Sequence, residues 1–457
     1  MDNDTIKRLI KISGKENVLS TPEDLVAYSF DATFEDHRPD VVVLPTNTEQ
    51  VSQIVKLAGE RNIPIVPRGM ASGLAAASVP FGGGISLSLT RMNRILEIDR
   101  LNRTVSAEAG VITANLQDEV EKQGLFYPPD PSSIKHSTIG GNIACNAGGP
   151  RCLKYGVTGD YVLGLTVVLG DGRILKTGGK LIKDVVGYDL KALFTGSEGT
   201  LGIITEVLLK LTSKPKFART ARVEFLSLED ASRTVNEILS AGLVPATLEL
   251  MDETAIHCIE EAMQLGLPLD VQAILIIESD GADEEMVEKE IAAIEEICLH
   301  SGAHKVEVAK DEKERALLWK ARRSVSPSLA RKAPNKLGED ITVPLSAIPE
   351  AIQRMKAISK KYDLPIVVFG HAGDGNLHPN ILFDKRNPEQ WEKAGKMVGE
   401  IFETALDLEG TLSGEHGVGT LKRPYIPLAL GEESINIQKQ IKKIFDPLNI
   451  MNPGKVF

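Results

Sequence analysis

The residues whose types and spacing could do chemistry lie in two short stretches, FGHAGDGNLHPN at 369–380 and SGEHGVG at 413–419. The first carries His371 and His378, seven positions apart. The second carries Glu415 and His416 side by side. Three nitrogen or oxygen ligands and a spare imidazole are the inventory of an open, catalytic metal site. To aim both imidazoles of the first stretch at one point, the chain must double back. The sequence predicts that it does. IVVF reads as a buried strand, Gly373, Asp374, Gly375 and Asn376 are hairpin residues, and Leu377 to Phe383 reads as the returning strand.

A lone histidine is more often a surface or core residue than a ligand, and the chain has eight. Spacing by itself leaves both readings open, so the rest of the chain must decide. At 457 residues it exceeds one typical core, and two or three domains are expected. Hydrophobic content of 42% and charged content of 25% are those of a globular protein. The net charge of −11 disfavours nucleic acid and anionic membrane as partners but permits a local basic pocket for an anionic substrate. No run of about 18 apolar residues is present, so no bilayer span is expected. MDNDTIKRLIKISG lacks the apolar run of a signal peptide, so the expected location is cytoplasmic, with any membrane association through a partner. Cys145, Cys152, Cys258 and Cys298 have neither CxxC nor zinc-finger spacing. That argues against an iron–sulfur cluster on this chain and for buried free thiols.

Glycine clusters in three blocks. PRGMASGLAAASVPFGGG at 67–84 follows a strand–helix–strand pattern, with a helix expected near 47–61 and Thr46 and Glu49 as its capping box. Gly69 and Gly73 let the main chain come close to a ligand, so its N–H groups can cradle a phosphate. The block matches neither GxGxxG nor a Walker A loop. A second block, PPDPSSIKHSTIGGNIACNAGGPRCLKYG, spans 128–156, and GSEGTLGIITEVLLKL at 196–211 is the third. Strands ISLSL, ILEID and TVSAEAG, a helix near Thr113 to Gln123 and a hairpin turned at Gly170-Asp171-Gly172 lie between them. Each block alone reads as a structural turn. Three within about 140 residues, all between short strands, point to a large phosphate-bearing ligand.

From about 218 the pattern becomes strands alternating with helices near 229–241 and 284–301, read as α+β with helices on one face of an antiparallel sheet. DEKERALLWKARRSVSPSLARK reads as one long amphipathic helix, Ser346 as the cap of the next, and a last helix is expected near 388–408.

The order PRG…SG, PPDPSS, TIGGN…NAGG, KYG, GSEGTLGIIT resembles the FAD-binding domain of the vanillyl-alcohol-oxidase-like, or PCMH-type, flavoproteins. HAGDGNLH, SGEHGVG and the terminal NPGK resemble the FAD-linked oxidase C-terminal family, which holds the glycolate oxidase flavin subunit, the flavin D-lactate dehydrogenases and D-2-hydroxyglutarate dehydrogenase. The resemblance implies an α+β fold in three parts. These are a PCMH-type FAD-binding domain at 1–216, an α+β cap or substrate domain with the histidine hairpin at 217–410, and a segment at 411–457 that returns to the flavin domain. It implies FAD contacts from Pro67, Arg68, Gly69, Met70, Ala71, Ser72, Gly73 and Leu74 at the pyrophosphate. Pro129, Asp130, Ser133, Gly140, Gly141, Asn142, Ala144, Asn146, Gly148, Gly149, Tyr155 and Gly156 would line the ribityl chain and ring. Ile203 would offer backbone, and Asn452 would lie near the ring. Met70 and Ser72 stand where the family often has Gly and Thr, and the hydroxyl is kept. Relatives with covalent flavin carry a histidine in this turn; none is here, so non-covalent FAD is expected.

By the same resemblance, His371, His378 and Glu415 are ligands of a divalent metal and His416 is the general base. Two histidines and a carboxylate suit zinc, iron or manganese. Arg322 matches the family position that clamps the substrate carboxylate, with Ser326 one turn on; Lys336 is a second, displaced cation and Asn380 a further hydrogen-bonding group. The metal would make a 2-hydroxy acid's hydroxyl proton easier to lose, His416 would take it, and the hydride from C2 would pass to the flavin. The implied function is dehydrogenation of D-lactate or glycolate. With no NAD motif and no clustered cysteines, the electrons need an external acceptor: an electron-transfer flavoprotein, an iron–sulfur subunit or a quinone-linked protein. Self-association into a homo-oligomer stays open. The rivals are D-2-hydroxyglutarate dehydrogenation, a metal-free, oxygen-using oxidase of another alcohol, and an FAD-binding subunit without substrate chemistry.

Overall fold

A computed structural model describes residues 1–457. The chain forms two compact units. The first comprises Met1–Gly148, Val157–Lys214 and Glu415–Phe457, the second Gly149–Gly156 and Pro215–Gly414. The expected divisions at 216/217 and 410/411 differ from these by a few residues. The larger difference is Gly149–Gly156, which the sequence places beside the flavin. It belongs to the second unit because the Tyr155 hydroxyl donates to both carboxylate oxygens of Asp280, at 2.9 and 2.8 Å, and Lys154 pairs with the same carboxylate at 2.6 Å.

The first unit holds two main sheets. In the smaller, Val18–Leu19, Val41–Val43, Ile85–Ser88 and Ile65–Arg68 lie in that order, and the last three pair in parallel. Parallel strands need crossovers, and from Val41–Val43 to Ile65–Arg68, which flank Ile85–Ser88 on either side, the crossover is the helix Thr48–Arg61. Its buried residues Val51, Ile54, Val55 and Ala58 repeat at helical spacing. Its cap forms one residue later than the sequence suggested. Asn47 accepts from the Gln50 N–H at 2.9 Å, and the Gln50 side chain accepts from the Thr46 N–H at 2.8 Å. The second sheet is antiparallel, in the order Ile95–Asp99, Thr104–Glu108, Ile203–Lys210, Val162–Val168, Ile174–Gly178. One apolar core, including Ile65, Ile85, Val105, Val167 and Leu209, joins both sheets.

The second unit is built on an eight-stranded antiparallel sheet. Its strands run Lys305–Val308, Phe217–Phe225, Ala273–Gly281, Thr247–Asp252, Ile366–His371, Asn376–Phe383 and Asn335–Gly338, with Ile341–Thr342 also pairing on Asn376–Phe383. Helices cover both faces, not one. Glu253–Met263 and Val325–Lys332 pack on the face of Met251, Ile274, Ile276 and Phe369. Val287 of Glu284–His300 lies beside Gly281, whose position in the strand alternates with Ile274 and Ile276. Two-sided cover explains why Thr247–Asp252 and Ile366–His371 are buried throughout. The expected long helix is two, Glu312–Arg323 and Val325–Lys332, meeting at Ser324. Ser346 falls in a 3-10 turn, Leu345–Ala347, and caps nothing, because Pro349 already opens the helix Ile348–Tyr362. Of the four thiols only Cys258 and Cys298 are buried; Cys145 and Cys152 are half-buried.

Candidate functional site

In the first unit a cavity of about 1240 Å³, counted to its opening, runs between the three glycine blocks. Its walls include every residue from Pro67 to Leu74, then Ser133, Gly140, Gly141, Asn142, Ala144 and Ile203, and also Glu415 and His416. The glycines have a steric reason. A Cβ on Gly69 would run into the Thr138 side chain, and one on Gly140 would lie 2.6 Å from the Ala109 Cβ. Bare backbone is what lets the 67–74 turn lie against the start of the helix Ile139–Cys145. Arg68 is buried on this wall. One of its terminal nitrogens donates to the Tyr28 carbonyl at 2.9 Å, while its Nε has no protein partner.

Eight predicted cofactor residues lie off this wall. Gly149, Tyr155 and Gly156 belong to the second unit. Pro129, Asp130, Asn146 and Gly148 are in the first unit but do not line the cavity. The Pro129 carbonyl accepts from Gln117, and the Asn146 side chain from the Gly159 N–H at 2.8 Å. Asn452 supports the wall from behind, donating to the carbonyls of Ala77 at 2.9 Å and Glu198 at 2.7 Å.

The turn that carries Glu415 and His416 is held by two residues the sequence reading did not assign. Buried Glu198, in the third glycine block, accepts from the Val418 N–H at 2.7 Å and the Gly419 N–H at 2.8 Å. Burial pushes its carboxyl up; the two N–H groups and the ammonium groups of Lys422 and Lys455 pull it back. Gly419, at φ +52°, allows no Cβ because the Ala75 carbonyl occupies that space. Lys455 of NPGK is buried and donates to Ala76 O at 2.7 Å, Val79 O at 2.8 Å and Thr420 Oγ1 at 2.8 Å. The local signals were GSEG and NPGK themselves, which showed glycine turns but not what their charges hold.

In the second unit the predicted hairpin forms as Ile366–His371 and Asn376–Phe383, turned at Gly375 with φ +81°. Phe369 pairs with His378, and His371 with Asn376, so both imidazoles project from one sheet face. Both are buried, with ring centres 5.1 Å apart and planes at 87°. The neighbouring strand Thr247–Asp252 sets Glu249 directly across from His371. The Glu249 carboxylate, with no exposed surface, accepts from His371 Nδ1 at 2.6 Å. It also pairs with Arg322 Nη2 at 2.5 Å. Burial pushes the Glu249 carboxyl up, but Arg322 and His371 outweigh it and hold it below the usual range. Arg322 lies over the Phe369 ring at 5.0 Å, and its buried Nε has no hydrogen-bond partner. Asp340 accepts from Asn376 Nδ2 at 2.6 Å and from Ser413 Oγ at 2.8 Å, and stands 3.9 Å from His378 Nδ1. Gly414, packed against the Asn376 amide, ends the second unit, and Glu415 is the next residue in the chain.

The remaining substrate candidates fall in the same unit. Ser326 and Lys336 hydrogen-bond to each other, and burial lowers the Lys336 ammonium. Asn380 is buried, donates to the His378 carbonyl at 2.9 Å and stands across from Gly338.

Residues 214–456 match the model of the FAD linked oxidases, C-terminal domain, and residues 39–178 match that of the FAD binding domain. The chain belongs to the FAD-linked oxidase family. It is similar to the glycolate oxidase subunit GlcD of Bacillus subtilis, with 48% identity over 455 residues covering 99% of this chain and 97% of that protein. A D-lactate dehydrogenase of Anaerostipes hadrus is 37% identical, covering 93% and 91%. Among solved structures, p-cresol methylhydroxylase with substrate bound shares the fold at a TM-score of 0.83 and 18% identity, covering 99% and 96%. As an FAD-linked oxidase, the protein has the cavity its cofactor requires. Glycine-permitted backbone, hydroxyls of Ser72, Ser133 and Ser137, and the unpartnered Nε of Arg68 suit a pyrophosphate, and Ala109, Ile203 and Ile204 add apolar wall. The second unit's donor set also fits a metal: two facing buried imidazoles, one with its far nitrogen held by a carboxylate, are what such a site needs. No helix is long and apolar enough to cross a membrane.

Proposed function

We propose that this FAD-linked oxidase dehydrogenates a small 2-hydroxy acid, D-lactate or glycolate, to the 2-oxo acid, and delivers the electrons to a separate acceptor protein. The observation that carries the proposal is the shared anchoring of a buried imidazole and a buried guanidinium on one carboxylate, Glu249. One group suits a metal and the other a substrate carboxylate, and a 2-hydroxy acid presents both a chelating hydroxyl and a carboxylate. His371 and His378, with Glu415, would hold the metal. Arg322 would clamp the carboxylate, its unpartnered Nε supplying a donor. Asn380 lies on the same sheet face as His378, and Ser326 and Lys336 on neighbouring elements.

Non-covalent FAD in the first unit's cavity supplies the acceptor for the hydride that leaves C2, and a divalent metal (zinc, iron or manganese) the charge that polarises the substrate hydroxyl. His416, on the cavity wall, takes the hydroxyl proton as general base, a role typically worth roughly 10²–10⁴ in rate. The 2-oxo acid leaves with two electrons and two protons fewer. That the similar Bacillus protein is named a subunit supports an acceptor on another chain, an electron-transfer flavoprotein or an iron–sulfur subunit. Lys336 offers a second cation, so D-2-hydroxyglutarate belongs among the substrates tried.

The test is anaerobic flavin bleaching by D-lactate, L-lactate, glycolate and D-2-hydroxyglutarate, before and after chelation. Bleaching by one acid, lost on chelation and restored by metal, is expected. No bleaching by any of them would sink the proposal. Chelation-resistant turnover with stoichiometric peroxide would favour a metal-free oxidase.

A further inference from the structure

We infer that Glu249 is a positioning residue, and that its single carboxylate sets both the metal-facing nitrogen of His371 and the aim of Arg322. The inference rests on the proposed metal and carboxylate roles of those two residues. Three features of the second unit carry it. Glu249 has no exposed surface and lies opposite His371 in register on the adjacent strand, so its distance to the imidazole is fixed by the sheet ladder. One oxygen accepts from His371 Nδ1 at 2.6 Å, which puts the imidazole's proton on Nδ1 and makes Nε2 the basic nitrogen. The other oxygen meets Arg322 Nη2 at 2.5 Å, from the last turn of the helix Glu312–Arg323.

A buried carboxylate can be retained only where cations satisfy it. Here both cation-forming partners are the groups proposed to hold the reactants' charge. If either moves, the other loses its anchor. Met251, two positions along the strand, is plain apolar core, so the strand's packing does not require an acid on this face.

The test compares Glu249→Gln with the wild-type FAD-loaded chain. Gln keeps the shape but gives up the charge and one of the two acceptors. Metal affinity is read by competition with a chromophoric chelator on metal-stripped protein, using zinc and manganese. We expect Glu249→Gln to bind roughly 10–100-fold more weakly. At saturating metal, kcat/KM for the bleaching acid should stay about tenfold or more below wild type, because the guanidinium has lost its anchor. Should the lone Arg322 charge unfold that variant, Glu249→Gln/Arg322→Met removes both charges and still reads the metal arm. Unchanged metal affinity in either folded variant overturns the His371 half, and full recovery of kcat/KM at saturating metal overturns the Arg322 half. A wild-type chain that binds neither metal overturns the metal reading itself and this inference with it.

Discussion

Replacing Glu198 by Gln should loosen the turn that carries Glu415 and His416 without emptying the flavin cavity. The carboxylate accepts the Val418 and Gly419 N–H groups at 2.7 and 2.8 Å in a buried setting. Hydrogen bonds to a charged group contribute about 1.5–3 kcal/mol each, against about 1 kcal/mol for a neutral pair. Gln has one carbonyl oxygen, so one bond is lost and the other falls to the neutral value. The turn should close less favourably by about 2–5 kcal/mol. At about 1.4 kcal/mol per factor of ten, the Val418 and Gly419 amides should exchange roughly 30- to 4000-fold faster. Hydrogen exchange with mass spectrometry on peptides spanning 415–420 reads this directly. Flavin absorbance should show FAD retained, and bleaching by substrate should slow by about tenfold or more as His416 loses its fixed position. Unchanged exchange together with slowed bleaching would refute the reasoning, since Glu198 would then be acting on the cofactor and not on the turn.

Two further outcomes follow from buried titratable groups in the first unit. Burial lowers the Lys455 ammonium to about 8, against the opposing pull of Asp31 and Glu198. An unfolded lysine titrates near pH ~10.4, so the unfolded chain binds more protons between about 8 and ~10.4 and stability rises with pH across that window. Urea unfolding of wild type, minus that of Lys455→Met, should show this rise; a flat or falling difference would contradict it. Cys145 is half-buried on the cavity wall, but the protein packed around its sulfur, with Glu198 and Asp31 adding negative charge, pushes the thiol up to about 12. Iodoacetamide at pH 8 should therefore modify Cys145 on the order of 10³-fold more slowly than in the denatured chain, followed by peptide mass spectrometry.

The sequence was most informative where function requires unusual backbone. Position 69 needs glycine because Thr138 fills the space a side chain would take, and the hairpin needs Gly375 at positive φ. Such requirements are local, so the glycine blocks and the hairpin that faces His371 with His378 were legible, whereas the place of Glu415 and His416 on the cavity wall was not. The helix boundary at Ser324 and the two-sided cover of the large sheet were less so. Helical periodicity runs on across a one-residue break, and a buried strand reads alike whatever covers its second face. What only the tertiary structure decided was which acids serve the site. Glu249 lies 122 residues before His371 and reaches it through strand register, and Glu198 meets Val418 across 220 residues. Tyr155 meets Asp280 across 125 residues in the same way. A carboxylate carries no local signature of its partner. Its role is fixed by which strands pair and by the cost of burying its charge alone, and both belong to the folded chain.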